Sequence, residues 1–181
     1  MSVQHGIFMY DIAVTKRNFA DTLRRRLRRW GIRINWSVWL IDWRARAAIR
    51  KVILEVEEQY DEKIPSIKFR KFDEESRDEA DGDALEGLMQ FINETADAVL
   101  DSVRKKTEKG LKELPRRKQY DFLHRLEDIK TLAITFKLME DIEVAYETVK
   151  KLVSAELNFD VMQKLKEEKE KEEALLPALV G

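Results

Sequence analysis

Apolar and polar residues alternate over Ile7–Val14, between Gly6 and Thr15, and this predicts a first β-strand. Phe8, Tyr10, Ile12 and Val14 share one face; Ile7, Met9, Asp11 and Ala13 share the other. The period then lengthens. From about Lys16 to Trp30, the apolar positions Phe19, Leu23, Leu27 and Trp30 form one helical stripe, and Gly31 supplies a stop. A second strand is expected from Ile32 to about Ile41. It places Ile32, Ile34, Trp36, Val38 and Leu40 toward a core and Arg33, Asn35, Ser37, Trp39 and Ile41 on the opposite face. A long amphipathic helix is expected over about Trp43–Glu62, through Ile49, Val52, Ile53, Val56 and Tyr60. Pro65 then admits a third strand, Ser66–Phe72. Residues 1–72 therefore read β-α-β-α-β: an open sheet with both helices on one side, and a semi-polar face left for a partner or ligand to cover.

Strand signals stop after that. Residues 73–83 are acidic, small and turn-rich, and predict a linker. Leu85, Met89, Ile92, Ala96, Val99 and Val103 then repeat at helical spacing, up to a break at Gly110 and Pro115. A second long helical pattern covers about Arg116–Ala155. Its stripe runs through Phe122, Leu126, Ile129, Ala133 and Phe136, then drifts to Met139, Ile142, Tyr146, Val149 and Val153. Asn158 is placed to cap a last, mostly solvated helix that Pro177 ends. The expected class is α+β: a β-α-β-α-β domain, then an all-α hairpin, small bundle or coiled-coil arm over 84–181.

Composition narrows the function classes. The chain has 181 residues and no Cys, so disulfides, thiolate metal sites and Cys nucleophiles are absent. No run of about 18 apolar residues occurs, so no membrane partner is expected. The opening residues lack a basic region ahead of their apolar stretch, which does not read as a signal peptide; a cytoplasmic location is the expectation. Abundant Lys, Arg and Glu give a thermophile-like composition. The totals of 34 basic and 35 acidic residues conceal an asymmetry. Residues 1–50 carry eleven Lys/Arg against three acids, a net +8, whereas residues 73–101 carry one Arg against eleven acids, a net −10. Either the two segments pair with each other or the first attracts a polyanion.

Several short stretches of the N-terminal part form a pattern: Tyr10-Asp11-Ile12, Lys16-Arg17, Gly31, Arg33-x-Asn35-x-Ser37-Val38-Trp39, and Pro65-Ser66-Ile67-Lys68-Phe69-Arg70. Over residues 6–72 they resemble the small CRISPR-associated ferredoxin-like nuclease family, the compact subunits of the spacer-acquisition complex. The same sub-fold is similar to the C-terminal domain of phenylacetate-type transcriptional repressors and to certain toxin-like relatives. The sequence departs from that pattern where the family has Gln and Phe and this chain has Asn35 and Trp39, and where one strand is shortened or lost near Ile41–Trp43. The resemblance implies a ferredoxin-like domain that dimerises. It also implies that Asp11, one per protomer, faces its mate across the dimer to share a Mg²⁺ ion in phosphodiester cleavage.

Read from the residues alone, Asp11 is either a metal ligand and catalytic carboxylate, or a cap of the following helix or a partner of Lys16 or Arg17. The basic helix is the stronger candidate for binding. Lys16, Arg17, Arg24, Arg25, Arg28 and Arg29, with Arg33 beyond it, present guanidinium and ammonium groups suited to phosphate oxygens. All four Trp lie between positions 30 and 43. By strand parity Trp36 belongs in the core, whereas Trp39, with Asn35 and Ser37, faces out for a homodimer interface or for base stacking. His5 and His124 have no second ligand at zinc spacing, and no Walker, dinucleotide, nucleophile-elbow or zincin motif is present. The leading expectation is a DNA- or RNA-binding homodimer joined through its sheet face, with the helical half available to a protein partner. The alternatives are a Mg²⁺-dependent endonuclease using Asp11, and an assembly module without a nucleic-acid role.

Overall fold

The computed structural model describes residues 4–12, 16–72 and 77–157. Among them the chain is α+β, with one four-stranded antiparallel sheet and five α-helices. The order is β1 (His5–Asp11), α1 (Arg17–Leu27), β2 (Gly31–Arg33), β3 (Val38–Asp42), a 3-10 turn at Trp43–Ala45, α2 (Arg46–Tyr60), β4 (Ser66–Lys71), α3 (Arg77–Glu108), α4 (Arg116–Phe136) and α5 (Met139–Ser154). Strands lie in the order β2-β3-β1-β4, so β2 and β4 are the sheet edges. The register sets Phe8 of β1 opposite both Trp39 of β3 and Phe69 of β4.

The expected second strand is in fact two. Residues 34–37 bend, because the Asn35 side chain accepts a hydrogen bond from the Ser37 N–H at 3.2 Å. The Ile34 and Asn35 amides both donate to the Val38 carbonyl, at 2.9 and 3.3 Å. This turn closes a β2–β3 hairpin and supplies the strand that the sequence pattern lacked. It also inverts the expected parity of the Trp residues. Trp39 is 2% exposed, in the core, and Trp36 is 76% exposed.

Helices α1 and α2 cover one face of the sheet. Their stripes (Phe19, Leu23, Leu27; Ile49, Ile53, Val56) join Phe8, Tyr10, Trp39, Ile41 and Ile64 in one apolar cluster. At about 1.5–3 kcal/mol for each large apolar side chain removed from water, this cluster dominates local stability. The opposite face is covered over β2 and β3 and stays exposed toward β4, at Lys68 and Arg70. Ile32, Leu40, His5 and Asp42 are buried on that face. Helix α3 crosses it at Gly87, where a Cβ would lie 2.5 Å from Ile32 Cγ2 and 3.2 Å from the Arg33 carbonyl oxygen. The His5 ring stacks on Phe136 of α4 at 5.6 Å. The acidic stretch expected as a linker is, from Arg77 onward, the start of α3, whose Ala80, Ala84, Leu88 and Ile92 are buried.

The expected single helix over 116–155 breaks at Lys137, which takes a left-handed φ of 60°. The Leu138 N–H donates to the Ala133 carbonyl and the Lys137 N–H to the Ile134 carbonyl, a Schellman ending. The drift of the apolar stripe marks this change of helix. Compact packing groups residues Met1–Ile92 with Glu127–Tyr146, and Asn93–Leu126 with Glu147–Gly181. The second group has its own buried residues, among them Val99, Phe122, Leu126, Val149 and Val153, and an ion pair between Lys106 and Glu156. The end of the first expected strand at 13–15, the start of the acidic stretch at 73–76 and the helix from Asn158 lie outside the described residues.

Candidate nucleic-acid interface

Anchored by Phe19, Leu23 and Leu27, α1 turns its arginines away from the core. Arg25 and Arg29 are exposed, and Arg17 is exposed in the first turn. Three basic residues in the last turn also suit the negative end of the helix dipole. The expected binding residues divide into two kinds. Lys16 sits at the N-cap and is ion-paired to Glu62. Arg28 is half-buried with its guanidinium 5.7 Å over the Phe91 ring, and Arg33 is half-buried on β2. Those three are committed in part to the fold. Arg24 lies against Trp36, Arg29 lies against Trp30, and Arg25 is exposed on α1.

The β2–β3 turn is the centre of the candidate interface. Trp36 occupies the turn, where no strand neighbour covers its ring. Its carbonyl accepts the Tyr10 hydroxyl at 3.2 Å, which ties the turn to the central strand. The Arg24 guanidinium lies 5.1 Å from the Trp36 ring centroid, inside cation–π range. Its position is set by the Ala20 carbonyl, which accepts from Nε at 3.2 Å, and by Asp21 at 3.2 Å from Nη2. Arg29 lies 5.6 Å from the Trp30 ring. Burial raises the Tyr10 hydroxyl above its ordinary value, while the nearby positive charges of Arg24 and Arg33 pull it the other way. Positive charge therefore converges on this turn.

Arg26 reaches across to Glu55 and Gln59 of α2, at 3.2 and 2.9 Å. On α3, Asp81 lies 2.8 Å from His5, and Asp101 holds Arg104 and Lys105. Both His5 ring nitrogens are buried, and among the described residues neither makes a directed hydrogen bond.

The trio Asn35, Ser37 and Trp39 does not form an exposed face. Asn35 is exposed in the turn, Ser37 is half-buried with its carbonyl accepting from the Tyr10 N–H at 3.1 Å, and Trp39 packs beneath the helices. A dimer through Trp39 is thereby removed. Asp11 is exposed at the end of β1, opposite Ser66 in register. Among the described residues, no three His, Cys, Asp or Glu side chains converge to hold a metal ion. One exposed carboxylate does not make a Mg²⁺ site in this chain, which would need a second copy to supply more ligands. Trp36, expected in the core, is instead the exposed ring of the β2–β3 turn, and the Asn-x-Ser spacing around it was the available signal.

No family model, curated protein or solved structure matches the chain. No described helix is long and apolar enough to cross a membrane.

Proposed function

We propose that this protein binds nucleic acid through α1 and the β2–β3 turn, on a domain with the ferredoxin-like layout. The layout reading is supported by the chain order β-α-β-β-α-β and the sheet order β2-β3-β1-β4. The observation that carries the binding reading is Trp36, exposed to 76% and lying against Arg24, with exposed Arg25 on the same helix and exposed Arg29 in the turn that follows it. A large indole left in water stabilises no fold. A ring flanked by guanidinium groups offers a base a surface to stack on and its phosphates a counter-charge. A single aromatic platform suits unpaired bases better than a closed duplex.

The test is binding of a labelled mixed-sequence single-stranded oligonucleotide, DNA and RNA in parallel, at several salt concentrations. Affinity falls steeply as salt rises, and R25A/R29A flattens the slope by about two phosphate contacts. Trp36→Ala weakens single-strand binding by about 1–3 kcal/mol. A salt-independent affinity, or a Trp36→Ala protein that binds as well as the parent, sinks the proposal.

A further inference from the structure

The opposite edge of the sheet carries a second surface, beyond the nucleic-acid reading. Strand β4 is an edge, and among the described residues no strand pairs with its outer side. Beside it, between β4 and α2, lies a cavity of about 290 Å³ lined by Arg50, Ile53, Leu54, Glu57, Ile67 and Phe69. Its apolar wall reaches the surface: Leu54 is 54% and Ile67 38% exposed. Arg50 sits at its rim with the guanidinium 5.3 Å from the Phe69 ring. Glu57, the one carboxylate lining it, is already engaged. Its Oε1 accepts the Ile64 N–H at 2.7 Å and its Oε2 lies 3.1 Å from Lys63 Nζ.

Strand alternation gives this edge two characters. Phe69 shares the helix-covered face with Phe8, and Ile67 shares it with Tyr10, as their register shows. Lys68 and Arg70 point to the other face, and both are exposed. A strand added alongside β4 would set every second side chain against Leu54, Ile67 and Phe69, and the side chains between them beside Lys68 and Arg70.

We infer that the β4 edge accepts an extended peptide of a partner protein in which apolar and acidic residues alternate. Main-chain groups along the outer edge of β4 supply the hydrogen bonds, the α2–β4 groove takes the apolar side chains, and Lys68 and Arg70 take the carboxylates. A second copy of this chain is the poorer occupant. Two β4 edges brought together would oppose the same basic residues, and Lys and Arg on an edge are a known guard against such self-pairing.

The test uses the full chain and a fluorescein-labelled eight-residue peptide of alternating Val and Glu, followed by anisotropy. The expected result is saturable binding. A scrambled peptide of the same composition, and a Val/Lys peptide, each bind at least tenfold more weakly. N-methylation of alternate peptide amides on the edge-facing side removes binding, because it removes the main-chain donors. K68E/R70E, at two exposed positions, weakens binding at least tenfold with an unchanged melting curve, and so does Leu54→Glu. Equal binding of the scrambled or N-methylated peptide overturns the inference. So does a concentration-dependent mass in light scattering that K68E/R70E abolishes, which would assign the edge to a second copy. Displacement of the peptide by an oligonucleotide that W36A no longer binds would make the two surfaces one, and would overturn it as well.

Discussion

The two faces of the sheet are buried by different chemistry. Under α1 and α2 the contacts are rings and branched chains: Phe8 lies 5.5 Å from Tyr10 and 5.0 Å from Phe69, with Trp39 and Ile41 beside them. Under α3 the sheet offers Ile32 and Leu40 but also His5 and Asp42, and the helix comes close enough to need a glycine. The first face is stabilised by volume. The second depends on close approach and on the management of buried polar groups, which is less forgiving per residue and contributes less hydrophobic energy. The first face is closed by the chain itself and the second is closed over β2 and β3, whereas toward β4 it stays exposed at Lys68 and Arg70, so a functional surface is to be sought at the edges and turns of the sheet.

The largest effect that separates the faces is expected at Trp39. Trp39→Ala removes a fully buried ring from the aromatic face and costs about 3–5 kcal/mol, read as a lower urea midpoint with an unchanged slope. If Trp39 instead lay on an exposed interface, the midpoint would hardly move, and the layering described here would be wrong. On the α3 face, Gly87→Leu drives atoms into Ile32 and the Arg33 carbonyl and costs about 1–3 kcal/mol. The control is Gly82→Ala in the same helix. Nothing lies within 4 Å of a Cβ there, and the change stabilises by up to about 1 kcal/mol. Matching signs at the two glycines would mean that α3 does not press on β2.

Much of the aromatic face was legible in the sequence, and most of the α3 face was not. The parity of β1 placed Phe8 and Tyr10 correctly, and the stripes of α1 and α2 gave Leu23, Leu27, Ile49, Ile53 and Val56, because large apolar residues at a regular period report burial directly. For α3 the pattern found the buried Ile92 and Val99, but its other positions, Leu85, Met89, Ala96 and Val103, are only half-buried. In its first turns the helix buries Ala80, Ala84, Gly87 and Leu88, none of which the pattern named. Small residues that allow close packing have little weight in a hydrophobicity pattern, and the acidic neighbours of Ala80 and Ala84 made that segment look like a linker. Helix endings were legible only where glycine marked them. Gly110 did, but Asp61 and Lys137 take the same left-handed conformation without any such cue. The arginines of the candidate site were evident as a charge cluster. Their aromatic partner was not, because Ile-Asn-Trp-Ser-Val alternates like a strand, and only the Asn35–Ser37 hydrogen bond bends it.

Asp42 tests the polar character of the α3 face. Burial disfavours its charge, yet the hydrogen bonds and positive charge of Arg44 outweigh this and hold the carboxyl below the ordinary carboxylate value. Arg44 donates to Asp42 from its backbone N–H at 3.0 Å and from Nε at 3.0 and 2.9 Å. A carboxyl lowered in the folded state adds stability that is complete above its unfolded value, near pH 4, and is lost as pH falls through the folded value. Stability should therefore decline on acidification below about pH 4, and Asp42→Asn should be less stable at neutral pH with a shallower acid decline. A mutant whose acid profile parallels the parent's would show that Asp42 is not the group responsible.

The smallest expected change in stability is at Trp36, and its smallness is what identifies the site. Trp36→Ala removes the same side chain as Trp39→Ala, only three residues away. The ring at 36 is in water, however, and its hydrogen bond to Tyr10 uses the main-chain carbonyl, which alanine keeps. The loss should lie within about 0.5 kcal/mol, as for surface positions generally. Loss of oligonucleotide binding at this position, with an unmoved urea midpoint, separates a binding residue from a structural one. A fall in stability approaching that of Trp39→Ala would mean that the turn, and the arginine surface built around it, is held by the indole rather than offered by it.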